Sequence, residues 1–240
     1  MQGSRAPIGF ELGHQPVFQV PKRKKGGTTA NHVPSRKSVS GRGIRAAQPL
    51  MRDFLWHLEV DPSVRLISPY PLQLEYQTYD RYGPSGTAKH IPDLGILKRD
   101  GSVVYCDIVP EAILQEQWYR ERRRPLLEEA YFDQCGAGYS ILTELSIHIQ
   151  PLMNNVRRLW RDSRNQEPAA MRAVRRALGM LPPTPRAIGV IADAAEYRDR
   201  NAAIACVLQL ACTGYLRIDL SVPISEDTTV FLPDLMNPED

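Results

Sequence analysis

Pro92-Asp93-Leu94-Gly95-Ile96-Leu97-Lys98-Arg99-Asp100-Gly101-Ser102-Val103-Val104-Tyr105-Cys106-Asp107-Ile108-Val109 decides how the chain folds. Ile91 to Leu97 and Ser102 to Val109 are apolar runs joined by Lys98-Arg99-Asp100-Gly101, and Asp-Gly between two such runs signals a hairpin. Its strands place Asp93 and Asp107 at neighbouring points of an antiparallel pair. Two carboxylates so placed converge on one Mg²⁺, a hard cation that prefers oxygen ligands. Val109, two positions beyond the second acid, points to the same face. The structural alternative is that Asp93 caps the turn into its strand and Asp107 pairs with an arginine. Either way a partner is required, because burying an unpaired carboxylate is costly.

Upstream, Leu50, Met51, Phe54, Leu55 and Leu58 follow helical spacing between Ala46 and Val60, one amphipathic face. Pro49 is tolerated in a first turn, so the helix is expected to start close to Ala47. Leu72, Leu74 and Tyr76 alternate with polar residues like a strand entered through Pro69 and Pro71. Downstream, Gln115 to Gln134 reads as a charged helix with Trp118 and Leu126 among its apolar contacts, closed by Gly136, and Tyr139 to Thr143 as a buried strand. Helix, hairpin-rich sheet, helix and strand make an α/β or α+β core.

A second unit is expected after about Gln150. Leu152 to Arg164 and Pro168 to Leu178 read as helices, and Pro185 to Ala195 as another with Thr184 as its N-cap. Asn201 to Thr213 is a strongly apolar helix ending at Gly214. Tyr215 to Val222 and Thr229 to Leu232 alternate like a hairpin. Three helices and a hairpin follow one another as in a winged helix.

Residues 1–40 read as an extended basic arm, punctuated by Pro7, Pro16, Pro21 and Pro34 and carrying Lys22-Arg23-Lys24-Lys25. Met1 to Arg52 holds ten Lys or Arg against one acid, while Ile224 to Asp240 holds five acids and no Lys or Arg. That asymmetry points to a polyanionic partner for the basic segment, with the acidic tail kept apart. No stretch approaches the ~20 apolar residues of a membrane span, and Met1 to Phe10 lacks a signal-peptide core, so the chain is expected to be cytoplasmic. Cys106, Cys135, Cys206 and Cys212 form no Cys-x-x-Cys pair and read as free thiols rather than a zinc site.

The surrounding words are more specific than the two acids alone. Pro34-Ser35-Arg36-Lys37, Leu50-Met51-Arg52-Asp53-Phe54, Leu58-Glu59-Val60-Asp61-Pro62, Pro71-Leu72-Gln73-Leu74-Glu75-Tyr76 and His90-Ile91-Pro92-Asp93-Leu94 come in that order. Tyr105-Cys106-Asp107-Ile108-Val109-Pro110-Glu111-Ala112 and Asn154-Asn155-Val156-Arg157-Arg158-Leu159-Trp160 complete the series. Over roughly residues 30–235 the chain resembles the TnsA family, endonuclease subunits of heteromeric transposases with a PD-(D/E)xK nuclease site. The resemblance implies an α/β restriction-endonuclease-like core over 41–150, behind the arm, and a winged-helix-like α+β domain over 151–240. It also implies transposon-end DNA as ligand, Mg²⁺ as the family cofactor, and two partners: a DDE transposase of the TnsB type and an AAA+ regulator of the TnsC type.

The resemblance also shows what is missing. The family's helix Glu-Ser reads Ala47-Gln48 here, its Pro-Asp is kept as Pro92-Asp93, and its Glu-Val-Lys reads Asp107-Ile108-Val109. Asp93 and Asp107 remain as catalytic and metal positions, while Ala47 and Val109 are degenerate. Lys89, Lys98 and Asp53 are poorly placed to substitute. Glu111, just after Pro110, is the best substitute. Cleavage at transposon 5′ ends is therefore expected to be lost or weakened. Two alternatives are a non-catalytic assembly factor that recruits the AAA+ regulator and an active nuclease using Glu111. Nucleic-acid contacts are assigned to Lys37, Arg42, Arg157, Arg158, Arg161, Arg164, Arg172, Arg175 and Arg176, whose charge would meet phosphates. Arg120, Arg122, Arg123 and Arg124 are set aside because Glu121, Glu128 and Glu129 lie near enough to neutralise them.

Overall fold

The computed structural model describes residues 6–21, 31–80, 83–116, 123–164 and 167–232. It is a mixed α/β protein in two units, Met1–Leu55 with Ser63–Ile147, and Trp56–Pro62 with His148–Asp240. Lys22 to Lys25, Trp118, Arg120, Glu121, Arg122 and the tail beyond Leu232 lie outside the described residues.

In the first unit, β1 (Asn31–Val33) pairs antiparallel with β2 (Ile44–Ala46), and α1 (Pro49–Val60) follows, its residues from Trp56 on belonging to the second unit. The helix begins at Pro49, two residues later than expected, leaving Ala47 in the turn before it. Pro49 is the reason: its ring disfavours helical backbone in the residue before it. The next elements are β3 (Val64–Pro69), β4 (Leu74–Asp80), β5 (Gly83–His90), β6 (Leu94–Lys98) and β7 (Val103–Ile108). Then come α2 (Glu111–Leu114), α3 (Arg124–Cys135), β8 (Gly138–Leu142) and α4 (Glu144–Ile147).

β3, β6, β7 and β8 form one sheet in that order, with the first three antiparallel and β8 parallel to β7. The expected hairpin joins β6 to β7, its turn fixed by Asp100 Oδ1, which accepts from the Ser102 amide at 2.8 Å and hydroxyl at 2.7 Å. Gly101 takes φ 89°, a left-handed conformation that glycine adopts freely. β4 and β5 pair with each other as a separate ribbon.

One face of the sheet carries Leu97 and Tyr105, which pack with Leu127 and Tyr131 of α3, with Leu74 and Tyr76 of β4, and with Phe10. The stretch expected to be an extended arm is thus partly packed. Phe10 is buried, Tyr105 donates to the Ile8 carbonyl at 2.8 Å, and the backbone of residues 37–39 bonds to Ile67 on β3. Burying a Phe ring is worth about 1.5–3 kcal/mol, enough to draw a polar segment onto a core. Gly136 closes α3 with φ 59°, as its position in sequence indicates.

The second unit contains α5 (Leu152–Asp162), α6 (Pro168–Met180), β9 (Arg186–Ala187), α7 (Ile188–Ala194), α8 (Arg200–Cys212), β10 (Arg217–Ile218) and β11 (Thr229–Phe231). Its sheet order is β10-β11-β9, all antiparallel. Thr184 does not cap α7, whose N-cap is Ala187, because Arg186 and Ala187 are drawn into β9 first. Asp199 does cap α8, accepting from the amides of Asn201 and Ala202 at 3.0 and 3.2 Å. The core is built from Val156 and Leu159 of α5, the small side chains Ala170, Ala173, Val174 and Ala177 of α6, and most of α8.

Asn155 ties α5 to the segment between β10 and β11. Its amide donates to the carbonyls of Leu220 and Val222 at 2.9 and 2.7 Å, and its Oδ1 accepts from Ile224 N at 3.0 Å. Asn155→Ala removes all three bonds and orphans a buried amide, an expected loss of about 3 kcal/mol. Urea denaturation measures it, and a loss under about 1 kcal/mol would show the tie to be dispensable. Among the described residues, no helix is long and apolar enough to cross a membrane.

Candidate functional site

The two acids meet where the β6–β7 hairpin opens. The register pairs Leu94 with Cys106, and one further step sets Asp93 opposite Asp107. Asp93 Oδ2 accepts from the Ile108 amide at 2.8 Å, while the Asp93 amide points to Asp107 Oδ1 at 3.4 Å. Gln48, in the turn before α1, donates to the Ile108 carbonyl at 2.5 Å. The Ala47-Gln48 turn and Asp93 therefore both bond to the backbone of Ile108, the residue after Asp107.

Chemically, the site differs from a pair of open carboxylates. Asp107 is 7% exposed and His90 4%. Asp107 Oδ2 lies 2.8 Å from His90 Nε2 and accepts from the Tyr139 hydroxyl at 2.7 Å. His90 Nδ1 lies 2.9 Å from the Tyr131 hydroxyl. The rings of Tyr131 and Tyr139 stack with centroids 4.9 Å apart, and His90 meets both edge to face. Asp107 is thus partnered by a histidine and a tyrosine, not by an arginine.

Asp93 is less well provided for. Its burial, reinforced by the Asp107 charge, outweighs the Ile108 hydrogen bond and the attraction of His90 and raises its pKa to about 6. Burial also holds the Cys106 thiol between them well above its usual range. Tyr70, raised first by burial and then by Asp93, stays a neutral phenol and hydrogen-bonds to Met51 Sδ at 3.6 Å.

These residues do not make the family's Mg²⁺ site. One oxygen of Asp107 already accepts from Tyr139 and contacts His90, one oxygen of Asp93 accepts from a backbone amide, and Ala47 and Val109 supply no donor. Among the described residues, no group of three or more His, Cys, Asp or Glu side chains could hold a metal ion. Val109 stands just past β7, its amide bonded to the Leu142 carbonyl at 3.0 Å. Glu111 opens α2, where its carboxylate accepts from Gln115 at 2.6 Å and its amide donates to Glu144 at 2.9 Å. Those bonds hold Glu111 within its own helical turn and give it no link to either aspartate.

No family model matches the sequence, and no curated protein does.

The expected phosphate contacts fall into three groups. On α5, Arg158 donates to the Ile224 carbonyl at 2.8 Å and lies 3.6 Å from Asp162, which also accepts from Arg161 at 2.8 Å. Arg157 and Arg164 sit over the rings of Trp56 and Trp160, at 5.9 and 5.0 Å. On α6, Arg172, Arg175 and Arg176 are exposed. In the first unit, Lys37 is half-buried with its backbone bonded to β3, and exposed Arg42 lines a cleft of about 360 Å³ with Phe18, His32 and Tyr70.

Sequence reasoning passes over His90, Tyr131, Tyr139 and Gln48. A signal exists for the first. A carboxylate inside an apolar run needs a partner, and His90 stands beside the Pro92-Asp93 pair that reads as a metal position. The tyrosines come from α3 and β8, and no local pattern links them to Asp107.

Proposed function

We propose that the protein is a TnsA-like subunit of a DNA transposition machine, that it binds transposon-end DNA, and that its metal-dependent 5′-end cleavage is lost or strongly weakened. One observation carries the reading. Asp93 and Asp107 meet at the hairpin mouth beside the Ala47-Gln48 turn, yet positions 47 and 109 hold methyl groups and Asp107 is engaged by His90 and Tyr139. The meeting of the two acids and the lack of charge at positions 47 and 109 together support this reading.

The element order supports the same reading. A helix, a hairpin-built sheet, a second helix and a parallel strand follow one another in the first unit, as a restriction-endonuclease-like core requires. In the second unit α6, α7 and α8 precede the β10–β11 pair, in keeping with a winged helix. At the hairpin mouth this chain contributes Asp93 and the backbone around Ile108 as shape, and Asp107 as part of a buried network. The partners remain those of the resemblance, a DDE transposase of the TnsB type and an AAA+ regulator of the TnsC type.

The test combines the protein with Mg²⁺ or Mn²⁺, transposon-end duplex and both partner subunits. Retention of the duplex without 5′-end nicking is expected. Robust nicking that vanishes in Asp93→Ala would overturn the weakened site. The side-chain deficits also favour a second reading, a non-catalytic factor that recruits the AAA+ regulator. It predicts unchanged transposition in Asp93→Ala and loss of regulator binding when surface residues of the second unit are substituted.

A further inference from the structure

In a helix-turn-helix pair the second helix enters the major groove and presents its side chains to base edges. The matching helix here is α8, following α7, and it has little to present. Ala203 to Leu208 and Leu210 to Cys212 are buried, and Gln209 is half-buried. Its one cation, Arg200, bonds to Asp193 at 2.6 Å and to Glu226 at 2.7 Å. The segment between β10 and β11 is held by Asn155 and Arg158 of α5. α8 thus offers a groove little beyond its first turn, and the connection between β10 and β11 exposes Glu226 and Asp227, which phosphates repel.

α6 has the opposite character. Ala170, Ala173, Val174 and Ala177 turn into the core, while Arg172, Arg175 and Arg176 stand exposed at i, i+3 and i+4. Such spacing puts their Cβ atoms about 5–6 Å apart on one face. The helix contains no acid, and none of the three arginines has an ion pair among the described residues. The small inward side chains let the helix lie close to the core while its outer face carries three guanidinium groups, planar donors suited to phosphate oxygens.

We infer that the second unit grips duplex DNA through the outer face of α6, by its phosphates and without reading sequence, and that α8 is a structural helix. This rests on the proposal that the protein works on DNA, and it names the surface that does so. Complementarity of charge selects the occupant: three cations on one helical face, with no ion pair among the described residues, match a phosphate backbone, whereas a base edge would need α8.

The experiment measures binding of a fluorescein-labelled duplex to the full chain by anisotropy between about 50 and 200 mM salt. Each phosphate contact contributes about 0.9 to the slope of log K against log salt, so Arg172→Ala/Arg175→Ala/Arg176→Ala should lower the slope by about 2.7. Over that fourfold range the wild type should then lose about 40-fold more affinity than the triple variant. Asn201→Ala, at the exposed start of α8, should leave affinity and slope unchanged, and a shuffled duplex should bind as well as the transposon end. Tight binding by the triple variant with an unchanged slope would overturn the α6 surface while leaving DNA binding in place. Selective loss of transposon-end binding in Asn201→Ala would restore α8 as the reading helix. No binding by the wild type at about 50 mM salt would remove the DNA reading itself, and capture of an acidic protein by the same arginines would reassign the surface.

Discussion

Asp93→Asn is expected to make the protein more stable at pH 8 by about 2–3 kcal/mol. Folding raises the Asp93 pKa from 3.8 to about 6, and each tenfold gain in proton affinity corresponds to about 1.4 kcal/mol. The sign follows from linkage. The folded state holds this proton more tightly than the unfolded chain does, so the contribution of Asp93 is most favourable below about pH 4. It is lost as pH rises through about 6, above which the largely buried carboxylate is ionised at a cost. Asparagine keeps an oxygen to accept from the Ile108 amide and carries no charge beside Asp107. The difference in unfolding free energy between variant and wild type should therefore grow from about pH 4 to pH 7 and then level off. Guanidinium denaturation across that range measures it. A variant less stable than wild type at pH 8 would mean that the ionised carboxylate is stabilised by something other than the contacts described.

His90→Ala should act in the opposite direction and cost about 3–5 kcal/mol. The substitution takes from buried Asp107 its histidine partner and leaves the Tyr131 hydroxyl without its bond to the ring. Removing one partner of a buried carboxylate is among the most damaging changes a core can suffer. Tyr139→Phe, which deletes the bond at 2.7 Å, should cost less, about 1.5–3 kcal/mol for a hydrogen bond to a charged group. Denaturation midpoints at one pH, with Asp107→Ala as reference, provide the comparison. Equal stability of His90→Ala and wild type would remove the network from any account of this fold. Two aspartates with the same apparent role in sequence thus have opposite energetic signatures, one a burden on the fold and the other one of its anchors.

Much of the fold is visible in the sequence where the signal is local. Asp100-Gly101 specifies a turn by backbone chemistry, and the β6–β7 hairpin lies where those residues put it. Gly136 and Gly214 end their helices with positive φ because that conformation suits residues without a Cβ. β5 is harder to see, since Gly83-Pro84-Ser85-Gly86-Thr87 has neither alternation nor branched side chains before Thr87 and forms a strand by pairing with β4. β3 has no clean alternation either, and β6 covers it on one edge while the backbone of residues 37–39 covers the other. The arginines of α5 show a different limit. Asp162 and Trp160 stand at helical spacing from Arg158 and Arg164 and are open to the rule that set Arg120 to Arg124 aside, whereas Trp56 under Arg157 comes from a distant helix and no local pattern reveals it. At the site, the hairpin and its acids are legible, whereas the His90, Tyr131 and Tyr139 network requires three separate elements to converge.

The backbone of Ile108 is clasped on both sides, its N–H by Asp93 and its carbonyl by Gln48. Such a clasp fixes the outline of the hairpin mouth by backbone contacts, whatever side chains occupy positions 47 and 109. Exchanging the side chains at those two positions should therefore leave the contour of that opening as it is.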